Sequence, residues 1–266
     1  MTTGRLPRKS VQLNGITTAY LDCGQGEPIV ALHGIPTSSL LFAPLAPFLG
    51  GYRLIAPDLL GQGRTQAPPT GRLGYSAYAD HLHAFLNGVP PRRFHLLIHD
   101  LGGVLGLDWA TENVERLESL IILSTTVTGS FRVGTVFYAA NLILGQGFLR
   151  RGMQLTLKRP QQLDPALLEE WARPWSRRRL LRGVDHFAAR HLQRIRPKLG
   201  RIQAPVLVIW GEQDDIFPLQ HASSIAQALP QAKLSTIKRC GHWSPLDAPG
   251  EVAQFMLRFF SADDRA

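Results

Sequence analysis

The stretch Phe94-His95-Leu96-Leu97-Ile98-His99-Asp100-Leu101-Gly102-Gly103-Val104-Leu105-Gly106-Leu107 organises the rest of the chain. Its apolar opening, Phe94 to Ile98, reads as a short buried strand, and the glycines at 102, 103 and 106 allow a following helix to pack closely against it. Asp100 then falls on the turn between strand and helix, with Ile98 standing where a glycine is usual in strand-turn-helix motifs that expose a reactive side chain. By itself the tetrad His99-Asp100-Leu101-Gly102 also fits a helix that uses Asp100 as its N-cap.

Outward from this unit the same pattern recurs. Ser10 to Tyr20 alternates apolar and polar residues around Asn14-Gly15, a strong hairpin signal. Further apolar runs follow at Pro28 to Leu32, Arg53 to Ala56, Ser119 to Leu123, Pro205 to Trp210 and Ala232 to Ile237, with helical patterns between them. Strands alternating with helices predict an α/β fold with a doubly wound, mostly parallel sheet, whose ligand crevice lies at the carboxyl ends of the strands. The alternation stops after Leu123: helical-period segments such as Val136 to Leu149 and Pro165 to Ala172 appear, broken by Gly145, Gly147, Pro160, Pro174 and Pro197. We therefore expect a core of residues 1–126 and 200–266, interrupted by a helical cap over 127–199.

Composition sets the outer bounds. A chain of 266 residues that is 44% apolar buries one full core. No apolar run approaches the roughly 20 residues that span a bilayer, and no hydrophobic stretch follows the N-terminal Arg5-Leu6-Pro7-Arg8-Lys9, so a cytoplasmic protein is expected. Cys23 and Cys240 read as free thiols, and no metal-ligand spacing is present. Cys240 and His242 are close enough in sequence to share a loop rather than face each other as a nucleophile pair. The net charge of +9 belongs to one segment: Arg150 to Arg201 holds fourteen Lys and Arg against Asp164, Glu169, Glu170 and Asp185. No nucleic-acid motif accompanies it, and Arg177-Arg178-Arg179 reads as a solvated helix face; a weaker expectation is a field that favours anionic substrates.

Residues at the predicted strand ends are the candidates for chemistry. After Leu32 comes His33-Gly34-Ile35-Pro36-Thr37-Ser38-Ser39, where the backbone N–H of Ile35 pairs with that of Leu101 as a potential oxyanion hole. After Trp210 comes Gly211-Glu212-Gln213-Asp214-Asp215, and after Ile237 comes Cys240-Gly241-His242-Trp243. A serine on the turn would attack acyl carbonyls, whereas the carboxylate of Asp100 suits displacement of a leaving group from an sp³ carbon. His242 is then the base for water, with Asp214 or Asp215 orienting its imidazole. His33 and His99 read as hydrogen-bond supports of the loops and Asp58 as a turn residue, while His81, His83, His186, His191 and His221 receive no role.

These motifs resemble the haloalkane dehalogenase and epoxide hydrolase branch of the α/β-hydrolase superfamily, over most of the core. The resemblance rests on His33 to Ser39, on Ala56-Pro57-Asp58-Leu59-Leu60-Gly61-Gln62-Gly63, and on His99 to Ala110; residues 127–199 align with nothing securely. It implies attack by Asp100 on carbon, an alkyl-enzyme ester, and hydrolysis of that ester by water activated at His242, without cofactor or metal. The family pattern Gly-x-x-Asp favours Asp214 as the acid, with Asp215 the alternative, and the implied substrate is small and apolar or weakly polar. Two departures matter. Dehalogenases hold the halide with a Trp after the nucleophile and an Asn in the His-Gly-x-Pro loop or a Trp of the cap; here the core positions are Leu101 and Ile35, whose side chains donate nothing. Trp171 and Trp175 are the candidate substitutes, and Tyr138 is the single candidate for the ring-protonating tyrosine of an epoxide hydrolase. A serine esterase is disfavoured because the turn holds no Ser or Cys, and a binding protein that has lost its reaction is disfavoured by the retention of Asp100, Asp214 and His242 together.

Overall fold

The computed structural model describes residues 7–69, 73–128, 146–159, 164–174 and 189–261. Its centre is one sheet of eight strands: β1 (Arg8–Leu13), β2 (Ile16–Gly24), β3 (Glu27–Leu32), β4 (Tyr52–Pro57), β5 (Phe94–His99), β6 (Leu117–Leu123), β7 (Val206–Gly211) and β8 (Ala232–Ile237). They lie in the order β1-β2-β4-β3-β5-β6-β7-β8. The hairpin β1–β2 and the pair β2–β4 are antiparallel; every other pairing is parallel. Asn14 and Gly15 both take positive φ, as a tight two-residue hairpin turn requires, and this brings Leu13 opposite Ile16.

Each apolar run singled out in the sequence is a strand, because the inner strands are covered on both faces. β5 and β7 are buried at every position, whereas the edge strand β8 is half exposed. One face carries α1 (Tyr75–Gly88), α2 (Asp100–Glu112) and α6 (Gln220–Ala228), packed through Tyr78, Leu82, Val104, Leu107 and Ile225. The other carries a 3-10 segment, Ser39–Phe48, the short α7 (Ser244–Asp247) and α8 (Pro249–Phe260), packed through Leu41, Phe42, Leu246, Val252 and Met256. Each such side chain contributes roughly 1.5–3 kcal/mol when taken fully out of water.

Between β6 and β7 the described residues contain helices and no strand: α3 (Gln146–Thr156), α4 (Pro165–Ala172) and α5 (Ala189–Ile195). Asp164 starts α4 by accepting a hydrogen bond from Ala166 N–H (2.9 Å), with Pro165 in the first turn where its missing N–H costs nothing. Several cations of this insert are spent on surface pairs, Arg150 with Glu169, Arg159 with Glu251, Lys158 with Asp215 and Lys198 with Glu112, rather than on a common field. The Arg177–Arg179 run lies outside the described residues, as does most of the expected Val136–Leu149 helix. No described helix is long and apolar enough to cross a membrane.

The strand order reverses direction between β3 and β5, which places the crevice of a doubly wound sheet between the loops that follow them. Those loops carry Ile35 and Asp100.

Candidate active site

Asp100 sits on the tight turn from β5 into α2 with φ +51°, a left-handed conformation that costs a non-glycine residue about 1–3 kcal/mol. The surroundings hold it there. Asp100 N–H donates to Ser124 O (3.1 Å), Thr125 Oγ1 donates to Asp100 O (2.7 Å), and Ile35 N–H donates to Asp100 Oδ1 (2.9 Å). The glycines make this packing sterically possible: a Cβ on Gly34 would overlap the Asp100 carboxylate, and one on Gly102 would overlap the carbonyls of Leu32 and His33. On Gly103 a Cβ would meet the Thr125 side chain.

His242 Nε2 lies 3.7 Å from Asp100 Oδ2, and its Nδ1 lies 3.2 Å from Asp214 Oδ2. All three residues are buried. Asp214 is oriented by Ile216 N–H (2.9 Å) and Phe217 N–H (2.8 Å), both donating to its Oδ1. Asp215, the alternative acid, points to solvent with its side chain 66% exposed and pairs with Lys158 Nζ at 2.6 Å, so Asp214 is the carboxylate that meets the histidine.

The electrostatics follow from burial plus proximity. Burial raises the Asp100 carboxyl above its ordinary value, opposed by His242 and by the N–H groups of Leu101 and Ile35. Burial works against a charged His242, yet Asp214 and then Asp100 outweigh it and hold the imidazole above 6.5. Burial also disfavours the Asp214 anion, but His242 and the Phe217 and Ile216 N–H groups keep its carboxyl below the usual range.

Both supporting histidines are neutral donors. Leu59 N–H donates to His33 Nε2 (2.9 Å), which leaves His33 Nδ1–H to donate to Gly34 O (2.8 Å); burial depresses this ring to about 4. His99 Nε2–H donates to His242 O (3.0 Å), and burial takes its pKa well below the ordinary value. Asp58 organises its turn by accepting from Ser39 N–H (2.8 Å) and Arg64 N–H (2.9 Å). Burial keeps the Cys240 thiol protonated, and both cysteines are free.

Sequence reasoning placed Trp171 among possible leaving-group contacts. Its indole N–H instead donates to Ser38 Oγ (2.9 Å), and the ring is fully buried in the core, so this donor is already engaged. Tyr138 and Trp175 lie outside the described residues. Two supports were missed. Buried Asp247 accepts from Gly241 N–H (2.9 Å) and from Lys158 and Arg159 N–H (2.9 Å each), tying the His242 loop to the end of α3. An acid inside the mostly apolar stretch Trp243-Ser244-Pro245-Leu246-Asp247-Ala248 was the available signal. Thr125, the other, carries no signal beyond its place after β6.

Asp100, His242 and Asp214 thus meet, buried, at the strand ends of a doubly wound sheet, the architecture of the α/β-hydrolase class of enzymes. The chain belongs to the alpha/beta hydrolase fold family, whose model matches residues 27–249. Over 286 aligned residues it is 27% identical to the cis-3-alkyl-4-alkyloxetan-2-one decarboxylase of Shewanella oneidensis, covering 96% of this chain and 88% of that one. A haloalkane dehalogenase of Sphingobium indicum is 39% identical over 118 residues, 42% of this chain and 40% of the other. Among solved structures, an α/β-hydrolase fold protein from Burkholderia ambifaria superposes with a TM-score of 0.81 at 21% identity, over 94% of this chain and 97% of that one.

Proposed function

We propose that this enzyme uses Asp100 as a carbon-centred nucleophile and releases product by hydrolysing the resulting ester. The observation that carries this reading is the division of labour between the two oxygens of Asp100. Oδ1 is occupied by the Ile35 N–H, while Oδ2 faces His242 and is the oxygen left to attack. Attack on an sp³ carbon forms the Asp100 Oδ2–carbon bond as the leaving group departs with its electron pair. Esterification removes the charge of Asp100 and with it one of the influences that raise the His242 pKa. The imidazole then becomes a base for water, backed by Asp214. Water adds to the Asp100 carboxyl carbon, the Ile35 and Leu101 N–H groups receive the oxyanion, and collapse returns the carboxylate and an alcohol.

For the leaving group we favour the ring oxygen of a small, strained lactone. The side chains of Ile35 and Leu101 have no donor, and the Trp171 N–H is taken by Ser38. Among the described residues a departing halide would meet no side-chain donor at these positions, and a halide left unpaired carries a penalty of several kcal/mol and hence of orders of magnitude in rate. A lactone oxygen departs as a delocalised carboxylate, and the Shewanella relative bears the name of an oxetan-2-one enzyme. Carbon–halogen cleavage is the second reading, favoured by the 39% identical stretch shared with the Sphingobium dehalogenase.

The test is intact-protein mass spectrometry of His242→Phe exposed to panels of epoxides, oxetan-2-ones and bromoalkanes. A stable adduct that disappears in His242→Phe/Asp100→Asn is expected, of whole-substrate mass for an opened ring and of the alkyl group alone for a bromoalkane, with oxetan-2-ones ahead of bromoalkanes. Turnover of p-nitrophenyl acetate that survives Asp100→Ala, with no adduct from any panel, would refute the mechanism.

A further inference from the structure

We infer that Ser38 is a positioning residue through which the inserted helix α4 sets the Ile35 N–H that holds Asp100. The Ile35 N–H shares a peptide plane with the carbonyl of Gly34, so whatever fixes that carbonyl fixes the direction of the N–H. Three donors converge on Gly34 O: His33 Nδ1–H (2.8 Å), Thr37 Oγ1–H (3.0 Å) and Thr37 N–H (3.1 Å). Two of the three belong to Thr37, the direct neighbour of Ser38.

Ser38 is itself gripped from the insert. Its Oγ accepts from Trp171 Nε1–H (2.9 Å) and donates to Glu170 Oε1 (3.2 Å), and the same carboxylate oxygen accepts from Arg8 Nη2 of β1 (2.7 Å). Ser38 also accepts from Leu40 N–H (3.3 Å) to start the 3-10 segment. One hydroxyl thus joins the loop after β3, the helix α4 and, through Glu170, the edge strand β1. Ser38 and Trp171 are sealed from solvent, whereas a cleft of about 280 Å³ opens against Arg8, Leu40 and Glu170. The inner half of the clasp therefore sits in low dielectric, where a hydrogen bond counts for more and an orphaned partner costs more. Seating of α4 and the aim of the oxyanion donor become one mechanical unit.

The kinetic consequence rests on Asp100 being the nucleophile; the structural one does not, and the two are read separately. Amide hydrogen exchange of Ile35 is followed by NMR in the wild-type chain and in Ser38→Ala, Ser38→Thr and Glu170→Gln. In Ser38→Ala the Ile35 amide is expected to exchange roughly fivefold to tenfold faster, as for the loss of one or two buried hydrogen bonds. Glu170→Gln, at the wetter end of the clasp, should give a smaller change, and Ser38→Thr, which keeps the hydroxyl, should stay near wild type. The Ile216 and Phe217 amides, which hold Asp214, should not move. Unchanged Ile35 exchange in Ser38→Ala overturns the inference, and so does acceleration shared equally by Ile216 and Phe217, which would mark general loosening. If Ser38→Ala does not fold, Trp171→Phe removes the same inner bond and is judged by the same criteria. In single turnover, Ser38→Ala should slow ester breakdown roughly tenfold with KM held within about twofold. Absence of any ester in the wild-type enzyme would count against the nucleophile, and the exchange data would still decide the clasp.

Discussion

Asp214 meets His242 Nδ1 at 3.2 Å and keeps its own charge through His242 and two backbone N–H groups. Its strongest effect on the chemistry is through the imidazole pKa, which Asp214 raises more than any other group does. In the proposed mechanism ester breakdown needs the neutral imidazole, so its rate in the wild-type enzyme should climb with pH through a midpoint that Asp214 holds up. Replacing Asp214 by Asn withdraws that influence, so the midpoint should move to lower pH while the plateau falls about a thousandfold from loss of orientation. The pH dependence of single-turnover ester decay measures both; a midpoint that stays in place would remove Asp214 from the relay. Ester formation obeys the opposite requirement, an ionised Asp100, and should fail at a pH above the ordinary carboxyl value because burial raises that group. At this scale the chain was legible as far as Asp214 or Asp215. Adjacent residues with the same side chain differ only in direction, and burial of one against solvation of the other settles which meets the histidine.

The elbow between β5 and α2 joins strand packing to reactivity. Apolar strand, aspartate and spaced glycines were readable because local sterics require them: α2 comes so close to β3 that Gly102 has carbonyls where a side chain would begin. Gly102→Ala should therefore destabilise the fold by about 2 kcal/mol despite the better helix propensity of alanine, and displace Asp100 enough to abolish ester formation. Gly200, with open space around its missing Cβ, supplies the control: Gly200→Ala should leave both nearly unchanged. Thermal unfolding and adduct formation report the two effects, and an active, equally stable Gly102→Ala would contradict the close approach. The insert is the harder case. Its helices were visible only as a periodicity, and the contacts that matter, Glu170 and Trp171 on Ser38 and Asp247 beneath Lys158, join residues far apart in the chain. No spacing rule connects such pairs.

For the whole molecule, the antiparallel edge is held by a charge cluster remote from the site. Buried Asp22 accepts from Lys9 Nζ (2.6 Å) and from Arg53 Nε (2.8 Å), linking β1, β2 and β4. The hydrogen bond from Arg53 is the leading cause that takes its carboxyl to about 2, with Lys9 adding to it against burial. A carboxyl with a lowered folded pKa stabilises at pH above its unfolded value and loses that contribution as pH falls to the folded one. Asp22→Asn should thus cost about 1 kcal/mol at neutral pH, and the gap to wild type should close as the pH falls from about 4 to about 2. Urea unfolding across that range checks it; a gap independent of pH would refute the charge pair. The basic insert shows the reverse relation between chain and fold. A stretch that looks like one positive field is, in its described part, divided in part among partners such as Glu112, Glu251 and Asp215. What the amino-acid sequence determined unaided was the alternation of strands and helices and the turn that raises Asp100, with an acid at 214 or 215 and His242 at later strand ends, because these follow from local sterics and apolar periodicity. Tertiary structure alone decided which acid meets the histidine, that the Trp171 indole donates to Ser38, and how α4 reaches the loop after β3, because those depend on distances through space between segments that the chain brings together only on folding.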